Sequence, residues 1–140
     1  MIKILLAEDD RDDLDIFKTA LEDLQQPFEL RHAKNGRALF ELLDESPPDF
    51  LFLDILMPHK NGLACIKEIR KNKHYDNLPI IMITSGKSNE NIESSFSNSA
   101  NFYLLKQYSI KALTNKLSYI FSIDWKSITY YPSKSKFVLD

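Results

Sequence analysis

The chain has a single cysteine, Cys65, among its 140 residues, so no intramolecular disulfide can form and a reducing compartment is the natural setting. Cys65 stands with Leu63, Ile66 and Ile69 in a helical pattern, which assigns it to packing rather than to chemistry. Glycine is also scarce, with three in all, and that shortage removes one apparent motif. Ser85-Gly86-Lys87-Ser88 imitates the end of a nucleotide phosphate-binding loop, but the first glycine of that motif falls on Ile81. His32, His59 and His74 are scattered without metal-ligand spacing, and His59 reads as an exposed loop residue. A net charge of −2 offers no broad attraction to nucleic acid. No apolar run is long enough to cross a bilayer, and no secretory signal follows Met1. The expectation is a cytoplasmic single domain with no membrane span and no direct DNA binding.

Two short apolar runs end in acidic residues. Ile4-Leu5-Leu6-Ala7 leads into Glu8-Asp9-Asp10, and Phe50-Leu51-Phe52-Leu53 leads into Asp54. Such runs read as strands covered on both faces, as in a parallel sheet, and ligands bind at the carboxyl ends of those strands. Carboxylates gathered there raise one another's pKa unless a cation joins them. Asp9, Asp10 and Asp54 are therefore read as an oxygen-ligand site for a magnesium ion. Each acid taken alone could instead cap the helix after its strand, a reading that explains the set less well.

The order of elements gives the fold class. Leu14, Phe17, Leu21 and Leu24 recur at helical spacing, and Pro27 stops that helix. Residues 28–33 alternate as a strand. Asn35-Gly36 opens a helix carrying Leu39, Leu42 and Leu43, and Pro47-Pro48 closes it. A third strand ends at Asp54, and the stripe of Leu63, Ile66 and Ile69 follows it. Residues 79–84 and 102–106 are the fourth and fifth strands. The helix between them, over 91–100, is rich in serine and asparagine, which are weak helix formers. Ile110, Leu113, Leu117, Ile120 and Phe121 form the last stripe. Five strands alternating with five helices predict a doubly wound α/β fold with a parallel sheet. A strand order of 2-1-3-4-5 gathers Asp9, Asp10 and Asp54 at the switch point, with Thr84 and Lys106 on the far side of the third strand.

Taken together, Glu8-Asp9-Asp10, the segment from Asp54 through Met57-Pro58 to Gly62, Thr84, Tyr103 and Lys106 closely resemble the receiver domain of two-component response regulators. The resemblance spans residues 2 to about 122 and implies a flavodoxin-like receiver fold over residues 1–123. It implies that Asp54 is the phosphoacceptor and that Asp9, Asp10, Asp54 and the backbone carbonyl of Leu56 hold magnesium. Lys106 would pair with Asp54 and then with a phosphoryl oxygen, and the Thr84 hydroxyl would meet another. Tyr103 would be the switch aromatic, turning inward as Thr84 moves. The implied donor is a sensor histidine kinase or a histidine phosphotransfer protein. The chain would then be no ordinary enzyme but a switch that promotes only its own phosphorylation and dephosphorylation.

Two departures from the family pattern stand out. Gln107 follows Lys106 where the family usually has a cis proline, which calls for a trans bond or a strained cis one. Asn98-Ser99-Ala100 stands where glycine commonly ends the fourth helix; without glycine a left-handed cap is less favourable, although asparagine can serve. Residues 124–140 are read as a tail with no output domain, its Trp125, Tyr130, Tyr131 and Phe137 packing on their own domain or across a homodimer. Output would then pass through contact with a downstream protein partner or through phosphoryl relay. The alternative reading is a receiver-like binding module that is not phosphorylated. A magnesium-dependent phosphatase fits less well, because the position for its general acid is Leu56.

Overall fold

A computed structural model describes residues 1–107, 109–126 and 130–140. The strands are β1 (Ile2–Ala7), β2 (Phe28–Ala33), β3 (Phe50–Asp54), β4 (Ile80–Thr84), β5 (Phe102–Leu105) and β6 (Val138–Leu139). The helices are α1 (Arg11–Asp23), α2 (Gly36–Glu45), α3 (Gly62–Lys71), α4 (Asn89–Ser97), α5 (Ile110–Ser122) and the single turn α6 (Lys134–Phe137). Each of the five longer helices opens on Asp10, Asn35, Asn61, Ser88 or Ser109, whose side chain accepts a hydrogen bond from the amide three residues on. Short polar side chains satisfy the first free amides of a helix in this way.

Every strand pairing is parallel, in the order β2-β1-β3-β4-β5-β6. The doubly wound α/β fold is as predicted, but the sheet gains a sixth strand from the tail. Successive side chains of a strand point to opposite faces, and the two faces carry separate cores. Ile4, Leu6, Phe50, Phe52, Ile81, Ile83, Phe102 and Leu104 meet Phe17 and Leu21 of α1 and Leu113, Leu117 and Ile120 of α5. Leu5, Ala7, Leu51, Leu53, Ile80, Met82 and Tyr103 meet Leu39 and Leu43 of α2 and Ile66 and Ile69 of α3.

The serine-rich helix forms as α4, but it stops at Ser97 rather than reaching residue 100. Its last turn closes with Ser99 donating to the Phe96 carbonyl and Ala100 to the Ser95 carbonyl, the paired bonds of a Schellman cap. Ser99, not Asn98, takes the left-handed conformation, with φ 65. Arg70 from α3 holds the turn: Nε donates to the Ser99 carbonyl at 3.1 Å and Nη2 to Asn101 Oδ1 at 3.0 Å.

Of the two packings expected for the tail aromatics, the structure shows the one on the chain's own domain. Trp125 lies edge-on to Phe50, and Tyr130 stacks on Phe102 at 5.8 Å. Phe137 is fully buried against Phe96 and Tyr103. Lys87 pairs with Asp140 at 2.8 Å, and Lys134 pairs with Glu93 of α4.

Two substitutions test this frame. Ser99→Gly relieves a side chain from the left-handed region and is expected to raise unfolding stability by about 1 kcal/mol, read as a higher denaturant midpoint with an unchanged slope. Phe137→Ala is expected to cost about 3 kcal/mol in the same unfolding measurement; an unchanged midpoint would mean that the tail is an appendage rather than part of the core.

Candidate functional site

The site grows out of the side-chain alternation of the sheet. Ile4 and Leu6 of β1, Phe50 and Phe52 of β3, and Phe102 and Leu104 of β5 all face α1 and α5. The next positions in phase are Glu8, Asp54 and Lys106. The Glu8 amide donates to the Ala33 carbonyl at 2.9 Å, so the ladder with β2 runs one residue past Ala7 and keeps Glu8 in register. The Lys106 amide likewise donates to the Thr84 carbonyl at 2.8 Å. Two acids and a base thus arrive on one side of the sheet, at its carboxyl end.

Lys106 Nζ is the hub. It lies 2.7 Å from Asp13 Oδ2, 3.0 Å from Glu8 Oε1 and 3.1 Å from Asp54 Oδ2. The Glu8 and Asp54 side chains are 3% exposed. Burial pulls the Lys106 ammonium down, but hydrogen bonds with Asp13 and Glu8 and the charge of Asp54 outweigh it and hold the group above its ordinary value. Burial, with Asp54 beside it, pushes the Glu8 carboxyl up to about 8, against the opposing pull of Lys106. The other Asp54 oxygen, Oδ1, accepts from the Leu56 amide at 3.1 Å.

Glycine is required behind Asp54. A Cβ on Gly62 would lie 2.2 Å from the Asp54 carbonyl oxygen, and the Gly62 amide donates to the Ile55 carbonyl at 2.8 Å. The start of α3 can approach the end of β3 only where no side chain intervenes. On the opposite face of the sheet, Thr84 and Tyr103 are both buried. Thr84 Oγ1 accepts from the Gly86 amide at 3.5 Å, and the Tyr103 hydroxyl donates to the Gly86 carbonyl at 2.9 Å. The loop after β4 is thereby tied to both.

The acids sort differently from the sequence reading. The carboxylates of Glu8, Asp9 and Asp54 offer oxygens within 4.8 Å of one another, a set that can coordinate a divalent cation. Asp10, expected among the ligands, instead caps α1: its Oδ1 accepts from the Asp13 amide at 3.0 Å. Three consecutive acids cannot all face one point when a strand gives way to a helix, and the member in strand phase is Glu8. Period-two continuation of Ile4 and Leu6 is the signal that would have found it. Leu56, Asp9, Asp54, Ser85 and Lys106 line one open cleft together with Asp10, Asp12 and Asp13. Among the described residues no peptide bond is cis; Gln107 closes its loop by donating from Nε2 to the Leu105 carbonyl at 2.7 Å, and Lys106 reaches Asp54 without the proline. His59 is exposed, as expected.

Residues 4–118 match the family described as response regulator receiver domain. A probable cyclic di-GMP phosphodiesterase of Vibrio cholerae is 32% identical over 115 residues, which are 81% of this chain and 25% of that protein. A probable C4-dicarboxylate response regulator, DctR, of Bacillus subtilis is 30% identical over 115 residues, 82% of this chain and 50% of that protein. The chain therefore spans a quarter of the first of these proteins and half of the second. Among solved structures, the phosphorylated cyanobacterial phytochrome response regulator RcpA superposes with a TM-score of 0.80 at 24% identity, covering 94% of this chain and 99% of that one. The Mn(2+)-bound form of response regulator Rcp1 gives a TM-score of 0.78 at 24% identity, with 95% and 100% covered.

The raised Glu8 carboxyl makes the site sensitive to pH. Between about 4.5 and about 8 the folded chain keeps a proton that the unfolded chain has lost, so the stability contributed by this group falls as pH rises across that window. A cation bound by Glu8 displaces the same proton. Affinity for a divalent cation is therefore expected to climb from pH 6 to pH 8, with about one proton released per ion near pH 7, read by calorimetry in buffers of different ionisation enthalpy. Glu8→Gln should remove that proton release; release of the same size in the variant would assign it to another group.

Proposed function

Because the chain belongs to the receiver-domain family of response regulators, we propose that Asp54 is the residue that takes and loses a phosphoryl group, in a magnesium-dependent reaction that switches contacts with other proteins. The observation that carries this reading is the placement of a buried carboxylate, Asp54, 3.1 Å from the Lys106 ammonium and within reach of Glu8 and Asp9. An Asp54 oxygen attacks phosphorus, a P–O bond forms, and the bond from phosphorus to the donor breaks with its electron pair leaving on the donor. For a phosphohistidine donor, of a sensor kinase or a phosphotransfer protein, the leaving atom is an imidazole nitrogen, which takes up a proton. Hydrolysis by water later cleaves the new bond and returns the carboxylate.

The oxygen donors of Glu8, Asp9 and Asp54 fit a hard cation, and the Leu56 backbone carbonyl belongs to the same proposed set. When bound, magnesium supplies positive charge against the oxygens of the group in transfer. The chain's own residues do the rest. The Leu56 amide fixes the orientation of the nucleophile. Lys106 neutralises Asp54 beforehand and a phosphoryl oxygen afterwards through a charge-assisted hydrogen bond. The Thr84 hydroxyl donates to a second phosphoryl oxygen, and in turning it loosens its acceptance from the Gly86 amide. Tyr103, already inward with its hydroxyl on the Gly86 carbonyl, carries that movement to the face formed by α4 and β5. Leu56, exposed at the mouth of the cleft, and Gly86 stand where they control the approach of water.

Intact-mass analysis after incubation with magnesium and acetyl phosphate tests the reading. One phosphoryl group on the wild type and none on Asp54→Asn is the expected result. A wild type that binds magnesium and gains no mass would instead support a receiver-like module that binds without being phosphorylated.

A further inference from the structure

Three acids crowd the resting Lys106 ammonium. An ammonium has three N–H donors; two of them go to Asp13 at 2.7 Å and Asp54 at 3.1 Å, and Glu8 Oε1 pairs with the same ammonium at 3.0 Å. The shortest of the three contacts is to Asp13, which lies outside the trio of clustered carboxylates. The backbone of Asp13 is held by the start of its helix. It sits in the first turn of α1, its amide donates to Asp10 Oδ1 at 3.0 Å, and the next amide, of Leu14, donates to the Asp10 carbonyl at 3.1 Å. The Asp10 cap thus holds the backbone of Asp13, whose carboxylate meets the lysine tip. A cavity of about 30 Å³ lies beside the contact, lined by Glu8, Asp13, Ile16, Lys106 and Gln107 among others. It leaves space for the ammonium on the α1 side.

We propose that Asp13 is a positioning residue that draws Lys106 toward α1 and competes with the phosphoryl group for its ammonium, acting as a brake on phosphorylation of Asp54. The inference rests on the reading of Asp54 as phosphoacceptor. A phosphoryl oxygen has to compete with these acids for the ammonium, and the contact with Asp13, at 2.7 Å, is the shortest of the three. An acid in the first turn also complements the helix dipole, but that role alone changes the melting temperature and leaves the lysine where it is.

The test compares the rates at which wild type, Asp13→Asn, Asp13→Glu and Asp12→Asn take up phosphoryl from acetyl phosphate with magnesium, followed by intact mass. Asp12→Asn removes the same charge from the same exposed turn without touching an ion pair of Lys106. Asp13→Asn is expected to react about fivefold faster, the order gained when a charge-assisted hydrogen bond becomes a neutral one. Asp12→Asn should change the rate by less than about twofold, and Asp13→Glu should return it toward wild type. In a Lys106→Ala background, Asp13→Asn should be silent. Equal acceleration by the Asp12 and Asp13 variants, an Asp13→Asn rate at or below wild type, or an effect that persists without Lys106 overturns the inference while leaving Asp54 as acceptor. A wild type that takes up no phosphoryl group overturns the reading of Asp54, and this inference with it.

Discussion

One ammonium among buried carboxylates is the constraint on which the rest of this structure depends. Glu8 and Asp54 are brought together by the sheet at almost no exposure to water, where Glu8 holds a proton toward neutral pH and the charge beside it needs a counter-charge. Lys106 provides it, from the end of a strand two places removed from β3. The surrounding architecture serves that meeting: parallel pairing keeps the carboxyl ends level, Gly62 lets α3 close behind Asp54, and the extended ladders at Glu8 and Lys106 keep both side chains pointing toward α1. The site's charge balance follows from the same arrangement, since a single ammonium faces three acids.

The two faces of the sheet divide the work. Glu8, Asp54 and Lys106 share the α1 and α5 side with the phenylalanines below them, while Thr84 and Tyr103 follow Met82 and the α3 side. The charged cluster therefore lies on one face, and the ties from Thr84 and Tyr103 to the loop after β4 lie on the other. The backbone bond from Lys106 to the Thr84 carbonyl joins them.

The fold was legible because continuous apolar runs and helical stripes alternated along the chain, and because Pro27 and Pro47-Pro48 marked the breaks. Asp54, Thr84 and Lys106 were legible from their places at strand ends, and Tyr103 only through the family resemblance. Assignment among Glu8, Asp9 and Asp10 was not, since a run of acids carries no mark of where strand phase ends and helix capping begins. Asp13 was invisible as a neighbour of Lys106 for a different reason: 93 residues separate them, and no local pattern encodes a contact between elements so far apart in the chain. The same holds for the tail, whose aromatics announced a docking surface without naming it. In the cap of α4, sequence pointed to asparagine where serine took the left-handed position, because Arg70 anchors the Ser99 carbonyl and compensates for the missing glycine.

The short strand contributed by Val138 and Leu139 has a consequence for how this protein meets other chains. A parallel sheet ending at β5 would present a row of unpaired amides and carbonyls, a template onto which any extended segment could add. With Tyr103 opposite Val138 and Leu104 opposite Leu139, that template is occupied by two residues of the chain itself, and the new edge they form is too short to seed further growth. Addition of an extended peptide at the β5 edge is thereby disfavoured. The tail works in this respect as a guard against strand exchange and aggregation at the β5 edge.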